Sequence, residues 1–274
     1  MTVETASGGP GPLAGKRAIV TGTGPNIGAG IALALAAAGA HVWALDRDPK
    51  RAARCADQIA GAGGSASPLE CDITDPDAVA AAVGRATADG PVDVLVNSAA
   101  HYREEGLLEM SYEGWTGLLS VILHGAFLMT RAVAAKMVAA STGGSIINVA
   151  STAAHQGQPG NIAYCTAKAG LLNFTRAAAM DLASTGIRVN TLTPTSTDLS
   201  DRSERARQWG VPPPTEAALA RSRRSQSVIP LRKLPTPSDY GKAAVFLASE
   251  DAAMITGAEI RVDAGALARY WAWT

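Results

Sequence analysis

The chain has 274 residues, of which 47% are hydrophobic and 18% charged, and its 24 basic and 24 acidic side chains give a formal net charge of zero. That length suffices for one doubly wound α/β unit with a large core, and the dispersed, balanced charge excludes nucleic acid as the main partner. Cys55, Cys71 and Cys165 are odd in number, widely spaced and match no zinc pattern, so reduced thiols and no metal site are expected.

Residues 1–15, rich in Gly and Pro with Glu4, read as a flexible leader without a secretory signal, and 16–274 as a single domain. Expected strands are Arg17–Thr21, His41–Leu45, Ser67–Cys71, Val92–Asn97, Ser145–Ala150, Ile187–Leu192 and Glu259–Val262. Between them fall expected helices at Ile27–Ala38, Arg51–Ala60, Asp75–Ala88, Tyr112–Ala140, Ile162–Ser184 and Ser238–Ser249. Apolar strands alternating with amphipathic or alanine-rich helices specify a Rossmann-type α/β fold, a parallel sheet of about seven strands covered on both faces. No run is expected to approach the ~18 apolar residues of a membrane span, and a soluble cytoplasmic protein follows as the expectation.

After the first strand comes Thr21-Gly22-Thr23-Gly24-Pro25-Asn26-Ile27-Gly28, which opens an alanine-rich helix. A strand, a glycine-rich turn and a helix start leave unpaired N–H groups and a positive dipole end above the turn, a seat for a pyrophosphate. Asp46 ends the second strand about 20 positions later, where a carboxylate accepts hydrogen bonds from both ribose hydroxyls and repels a 2′-phosphate. Arg47 follows directly and is the one basic residue available to a 2′-phosphate, but Asp46 holds the nearer position. NAD(H) is therefore expected over NADP(H).

Tyr164 and Lys168 lie four apart on a predicted helix and so share a face, with Ser151 thirteen positions upstream of Tyr164 at the end of an apolar strand. A phenol ionises near pH ~10, and a neighbouring ammonium is the means of lowering that value. Phenol, ammonium and hydroxyl together describe a proton-transfer site.

From Lys16 to Gly265 the chain resembles the classical short-chain dehydrogenase/reductase family. The matching pieces are the Thr21 to Gly28 turn, Asp72-Ile73, Asn97-Ser98-Ala99-Ala100, Ser151, Tyr164-x-x-x-Lys168, and Ile187-Arg188-Val189-Asn190 with Pro194. The resemblance implies Tyr164 as acid/base, Lys168 as the group that tunes it and holds the nicotinamide ribose, and Ser151 as the ligand of the reacting oxygen. It also implies cofactor contacts from Gly22, Asn26, Ile27, Gly28, Asp46, Arg47, Asp72, Ile73, Asn97, Ala99, Pro194 and Thr197. The activity implied is interconversion of a secondary alcohol and a ketone, in a homotetramer or homodimer.

Four positions depart from the family pattern. Ile122 stands where the family places an asparagine that holds a relay water, and neither Ser120 nor His124 shares its helix face; His124 is expected to be packed or capped. Asn26 replaces a middle glycine, a position where asparagine tolerates positive φ better than most residues. Ala100 replaces a glycine, and Thr195 and Leu199 replace the usual glycine and threonine after the sixth strand. Ile122, Ala100 and Thr195 support an alternative, a cofactor-binding protein of the same fold with weak or no turnover.

The segment 195–232, where the family carries its substrate lid, is rich in arginine, including Arg202, Arg205, Arg207, Arg221, Arg223 and Arg224. It reads as a solvated helix pair or as a site for an anionic substrate. His101 and His155 are expected to line the substrate space, since ligands of open α/β sheets bind beyond the carboxyl ends of the strands. The tail through Tyr270, Trp271 and Trp273 is apolar enough to dock against another subunit.

Overall fold

In a computed structural model, which describes residues 11–268, strands β1 (Arg17–Thr21), β2 (His41–Asp46), β3 (Ser65–Glu70), β4 (Val94–Asn97), β5 (Gly144–Val149), β6 (Ile187–Pro194) and β7 (Glu259–Val262) form one sheet. The order is β3-β2-β1-β4-β5-β6-β7 and every pairing is parallel. Alternation along each strand sends side chains to two cores. Val20 and Val96 join Leu35, Tyr240 and Leu247 on one face, while Ile19 and Leu95 join Val83, Met129 and Ala179 on the other.

Helices α1 (Ile27–Ala37) and α9 (Pro237–Ala248) cover the first face together. Their close approach depends on two glycines: a Cβ on Gly30 would lie 2.5 Å from Pro237, and one on Gly241 would lie 2.5 Å from the Ala34 Cβ. α2 (Pro49–Gly61) and α3 (Pro76–Ala86) start on aspartate caps, Asp48 and Asp75, each followed by a proline that has no N–H to leave unpaired. In α9 the cap is Thr236, reciprocated by Asp239 as a capping box.

The helix expected over Tyr112–Ala140 is three pieces: α4 (Tyr112–Leu119), a π turn at Ser120–His124, and α5 (Gly125–Ala140). By length and composition this continuous stretch does qualify as a membrane span, contrary to the sequence expectation. Here it packs within the fold, with Met129, Val133 and Met137 fully buried against the sheet. The remaining helices are α6 (Ile162–Leu182) and, within 195–232, α7 (Arg202–Trp209) and α8 (Glu216–Val228).

Order begins earlier than the expected leader boundary. Residues 11–15 form a turn in which Leu13 is fully buried and its N–H donates to Ala38 O at 2.9 Å. The rest of the leader and the aromatic tail lie outside the described residues.

Candidate active site

The sheet order reverses between β1 and β4, and the crevice outside their carboxyl ends is the place where such folds bind ligands. The glycine turn forms its floor. Gly22 has φ +70°, and a Cβ there would lie 2.5 Å from the Ala99 Cα; a Cβ on Gly28 would lie 2.0 Å from Gly22 O. Thr21 Oγ1 accepts from the N–H groups of Ser98 and Ala99 at 3.0 and 3.1 Å, which ties the turn to the end of β4.

Asn26 precedes α1 with φ −149°, so the positive φ allowed for at this position is not used. It caps α1 without a side-chain hydrogen bond, and its Oδ1 is buried without a partner. Ile27 and Gly28 begin a helix with no acidic residue in its first turn. Turn, backbone N–H groups and helix dipole together fit a pyrophosphate.

Beside the turn opens a cleft of about 330 Å³, walled by Gly22, Asp46, Arg47, Asp72, Ile73, Ala99 and His101. Asp46 is 6% exposed and accepts from the Asp48 N–H at 3.0 Å. Burial raises its pKa, opposed by that hydrogen bond and by Arg51 and Arg47. Arg47 itself is exposed at the wall of the cleft. Asp72 accepts from the Thr74 hydroxyl and N–H at 2.7 and 2.9 Å, which lower its pKa. Ile73 packs where a Cβ on Gly125 would otherwise stand.

Asn97 ends β4. Its side chain is 5% exposed and donates to Thr130 Oγ1 at 3.0 Å and Asn148 Oδ1 at 2.8 Å. Asn148 in turn donates to Thr175, which also receives the Thr191 hydroxyl. This buried network clamps β4, β5 and β6 to α6, while the Asn97 Oδ1 is buried without a partner.

Ser151 follows β5 and accepts from the Ala153 N–H at 3.1 Å. Tyr164 and Lys168 come from one face of α6, and the Ser151 hydroxyl lies near enough to the Tyr164 phenol to favour its ionised form. Lys168 is 2% exposed; its Nζ donates to Val149 O at 2.5 Å and lies 5.8 Å from the Tyr164 ring centroid. The expected lowering of the phenol pKa is not met in this geometry. Burial raises it, against the effect of the Ser151 hydroxyl, and burial also pushes the Lys168 ammonium down to about 7.

The loop after β4, expected to approach the pocket at His101-Tyr102, reaches the phenol. The Tyr102 ring meets Tyr164 edge-on, with centroids 5.7 Å apart at 73°, and Asn161 Nδ2 donates to the Tyr102 hydroxyl at 2.8 Å. Asn161 was missed because only the approach of the 101–110 loop to the start of α6 gives it this partner; the Tyr102 side chain follows a residue already marked for the pocket. Ile122 is buried with Leu118, Ala163 and Ala167, and Tyr164 packs against this apolar group. His124 is exposed rather than packed or capped, and Ser120 lines the cleft.

Pro194 is buried at the end of β6. Beyond it the Tyr240 hydroxyl donates to Thr195 O at 3.0 Å, and Thr197 is buried nearby. His155 lines no part of the cleft. Its Nε2 lies 2.7 Å from Glu259 Oε1 on β7, which also accepts from the Thr193 hydroxyl. Within 195–232, Arg221 pairs with Glu104 at 2.9 Å, joining α8 to the loop after β4. Arg207 and Arg223 pair within their own segments with Glu204 and Glu216.

This arrangement can be set beside known proteins. A family model described as "Enoyl-(Acyl carrier protein) reductase" matches residues 22–266. D-threitol dehydrogenase of Mycolicibacterium smegmatis is 37% identical over 254 residues, covering 92% of this chain and 93% of that protein. The crystal structure of a short-chain dehydrogenase/reductase described as putative, from Burkholderia xenovorans, superposes with a TM-score of 0.86 at 33% identity, covering 95% of this chain and 99% of that one. A gluconate 5-dehydrogenase from Burkholderia cenocepacia, solved with NADP and tartrate, gives a TM-score of 0.82 at 30% identity, covering 94% and 97%. With the sheet order, the glycine turn and the Ser151, Tyr164 and Lys168 group in one fold, these matches establish that the chain belongs to the short-chain dehydrogenase/reductase family of oxidoreductases.

Proposed function

We propose that the protein is an NAD(H)-dependent oxidoreductase that interconverts a secondary alcohol and a ketone. The observation that carries this reading is the grouping of Ser151, which follows β5, with Tyr164 and with Lys168 one turn along α6. A bound nicotinamide dinucleotide supplies the hydride chemistry. Ser151 holds the substrate oxygen, and Tyr164 transfers the proton at its phenolic oxygen. Lys168, in its protonated form, offers an ammonium to the nicotinamide ribose and opposes the effect of burial on the Tyr164 phenol. Tyr102 closes one side of the phenol and shapes the substrate space.

Asp46 and the glycine turn support dinucleotide binding, with Gly22, Asn26, Ile27 and Gly28 beneath the pyrophosphate and Asp72 and Ile73 beside the adenine. The preference for NAD rests on the Asp46 carboxylate, which repels a 2′-phosphate. The NADP in the Burkholderia cenocepacia structure makes this preference a point to measure. Because similar proteins include D-threitol and gluconate dehydrogenases, a polyol or sugar acid is the substrate class proposed. We place the enzyme in the cytoplasm as a homotetramer or homodimer.

Ile122 favours a second reading, binding without turnover, because an apolar side chain in the position of the relay asparagine offers no polar atom. Calorimetric titration with NADH and NADPH, followed by absorbance at the nicotinamide band against polyols, ketones and hydroxy acids, separates the two. NADH binding with turnover supports the dehydrogenase. Tight NADH binding without turnover across the panel favours the second reading, and preferential NADPH binding contradicts the role given to Asp46.

A further inference from the structure

Arg205 differs from the other paired arginines within 195–232. Its side chain is 15% exposed, whereas those of Arg207, Arg221 and Arg223 are more than half exposed in their ion pairs. Its Nη2 makes both of its polar contacts, to Asp201 Oδ1 at 2.8 Å and to Asp198 O at 3.1 Å. Nε and Nη1 are buried without a hydrogen-bond partner. Asp201 is 61% exposed, so solvent screens much of the charge it offers. Buried open donors on a cation carry a desolvation cost, and an oxyanion is the ligand that meets both the donors and the charge.

The helix carries this group to the correct side of the sheet. One turn beyond Arg205, Trp209 is buried in the core cluster that α1, α2 and α9 form with one face of the sheet. Arg54 of α2 donates to Gln208 O and fixes the end of α7 there. Asp198, which receives Nη2, adjoins Thr197, and the chain between Pro194 and Thr197 is tied to Tyr240 of α9. α7 is therefore held on the face of the sheet that bears α1 and its glycine turn.

We propose that Arg205 binds an oxyanion beneath the lid, either the dinucleotide's pyrophosphate above the glycine turn or a carboxylate on the substrate. The first source rests on the dehydrogenase reading. The test is calorimetry on wild type and Arg205→Gln, using NADH, ADP and adenosine for the first source and tartrate added to NADH-saturated protein for the second. If pyrophosphate is the ligand, Arg205→Gln weakens ADP and NADH about tenfold or more and leaves adenosine unchanged. If the ligand is a carboxylate, tartrate weakens by a similar factor while ADP does not change.

ADP, NADH and tartrate all binding within twofold of wild type would overturn the assignment. Should Arg205→Gln fail to fold, Arg205→Lys, which keeps the charge but loses the planar donors, is read in the same way. Wild-type protein that binds neither NADH nor ADP refutes the dehydrogenase reading and the pyrophosphate source with it. Wild-type binding with an indifferent variant refutes the role of Arg205 alone.

Discussion

Lys168 donates to Val149 O from a fully enclosed position, and burial sets its pKa at about 7 against an ordinary value of 10.5. Between those values the unfolded chain holds the proton that the folded chain has released, so this group makes stability rise as pH increases through that window. Below about pH 7 both states are protonated and the folded state bears the full cost of the buried charge. Lys168→Met removes the titration. The unfolding free energy of the variant relative to wild type, from chemical denaturation at a series of pH values, should be highest below pH 7 and fall toward pH 10.5, over a range on the order of a few kcal/mol. A difference independent of pH would contradict the buried-cation account. At Asp46, replacement by Ala should weaken NADH about tenfold and bring NADPH to comparable affinity; an unchanged preference in a titration would remove Asp46 from the ribose site.

At the scale of elements, much of the fold was readable because the local signals and the global arrangement agree. The start of α1 at Ile27 followed from the glycine turn, and β1 and β7 have the expected bounds. β3 begins two residues before its expected start because Ser65 and Ala66 are recruited by backbone pairing to His41 and Val42, with no apolar pattern to mark them. The π turn at Ser120–His124 leaves the composition of the surrounding helix unchanged, so the sequence does not reveal it. His155 and Glu259 are 104 residues apart, and no local spacing announces their pairing. The α1–α9 contact can be tested directly: a Cβ on Gly30 would meet both the Pro237 Cβ and its backbone carbonyl. Gly30→Ala should cost about 1–3 kcal/mol in chemical denaturation, because backbone cannot swing aside as a side-chain tip does. A neutral outcome would mean that the two helices are less rigidly placed.

For the whole molecule, the places in the fold of Ser151, Asp46 and the glycine turn at strand ends, and of Tyr164 and Lys168 one turn apart on α6, were legible in the sequence from motif order and helix spacing. The internal role of Asn97, the Tyr102 contact and the isolation of Arg205 arise where distant segments meet, and required the fold. The proposed homotetramer or homodimer can be tested by sedimentation equilibrium. Masses near two or four times the 28.0 kDa chain are expected, and a species of 28.0 kDa at micromolar concentration would contradict it. The most direct test of the catalytic account is nicotinamide absorbance during turnover by wild type and Tyr164→Phe on the same substrate, after titration has established NADH binding to both. The account predicts that wild type turns over and that the variant binds NADH within about twofold but loses roughly 10²–10⁴ in kcat. A variant that retains wild-type turnover would contradict the assignment of proton transfer to Tyr164.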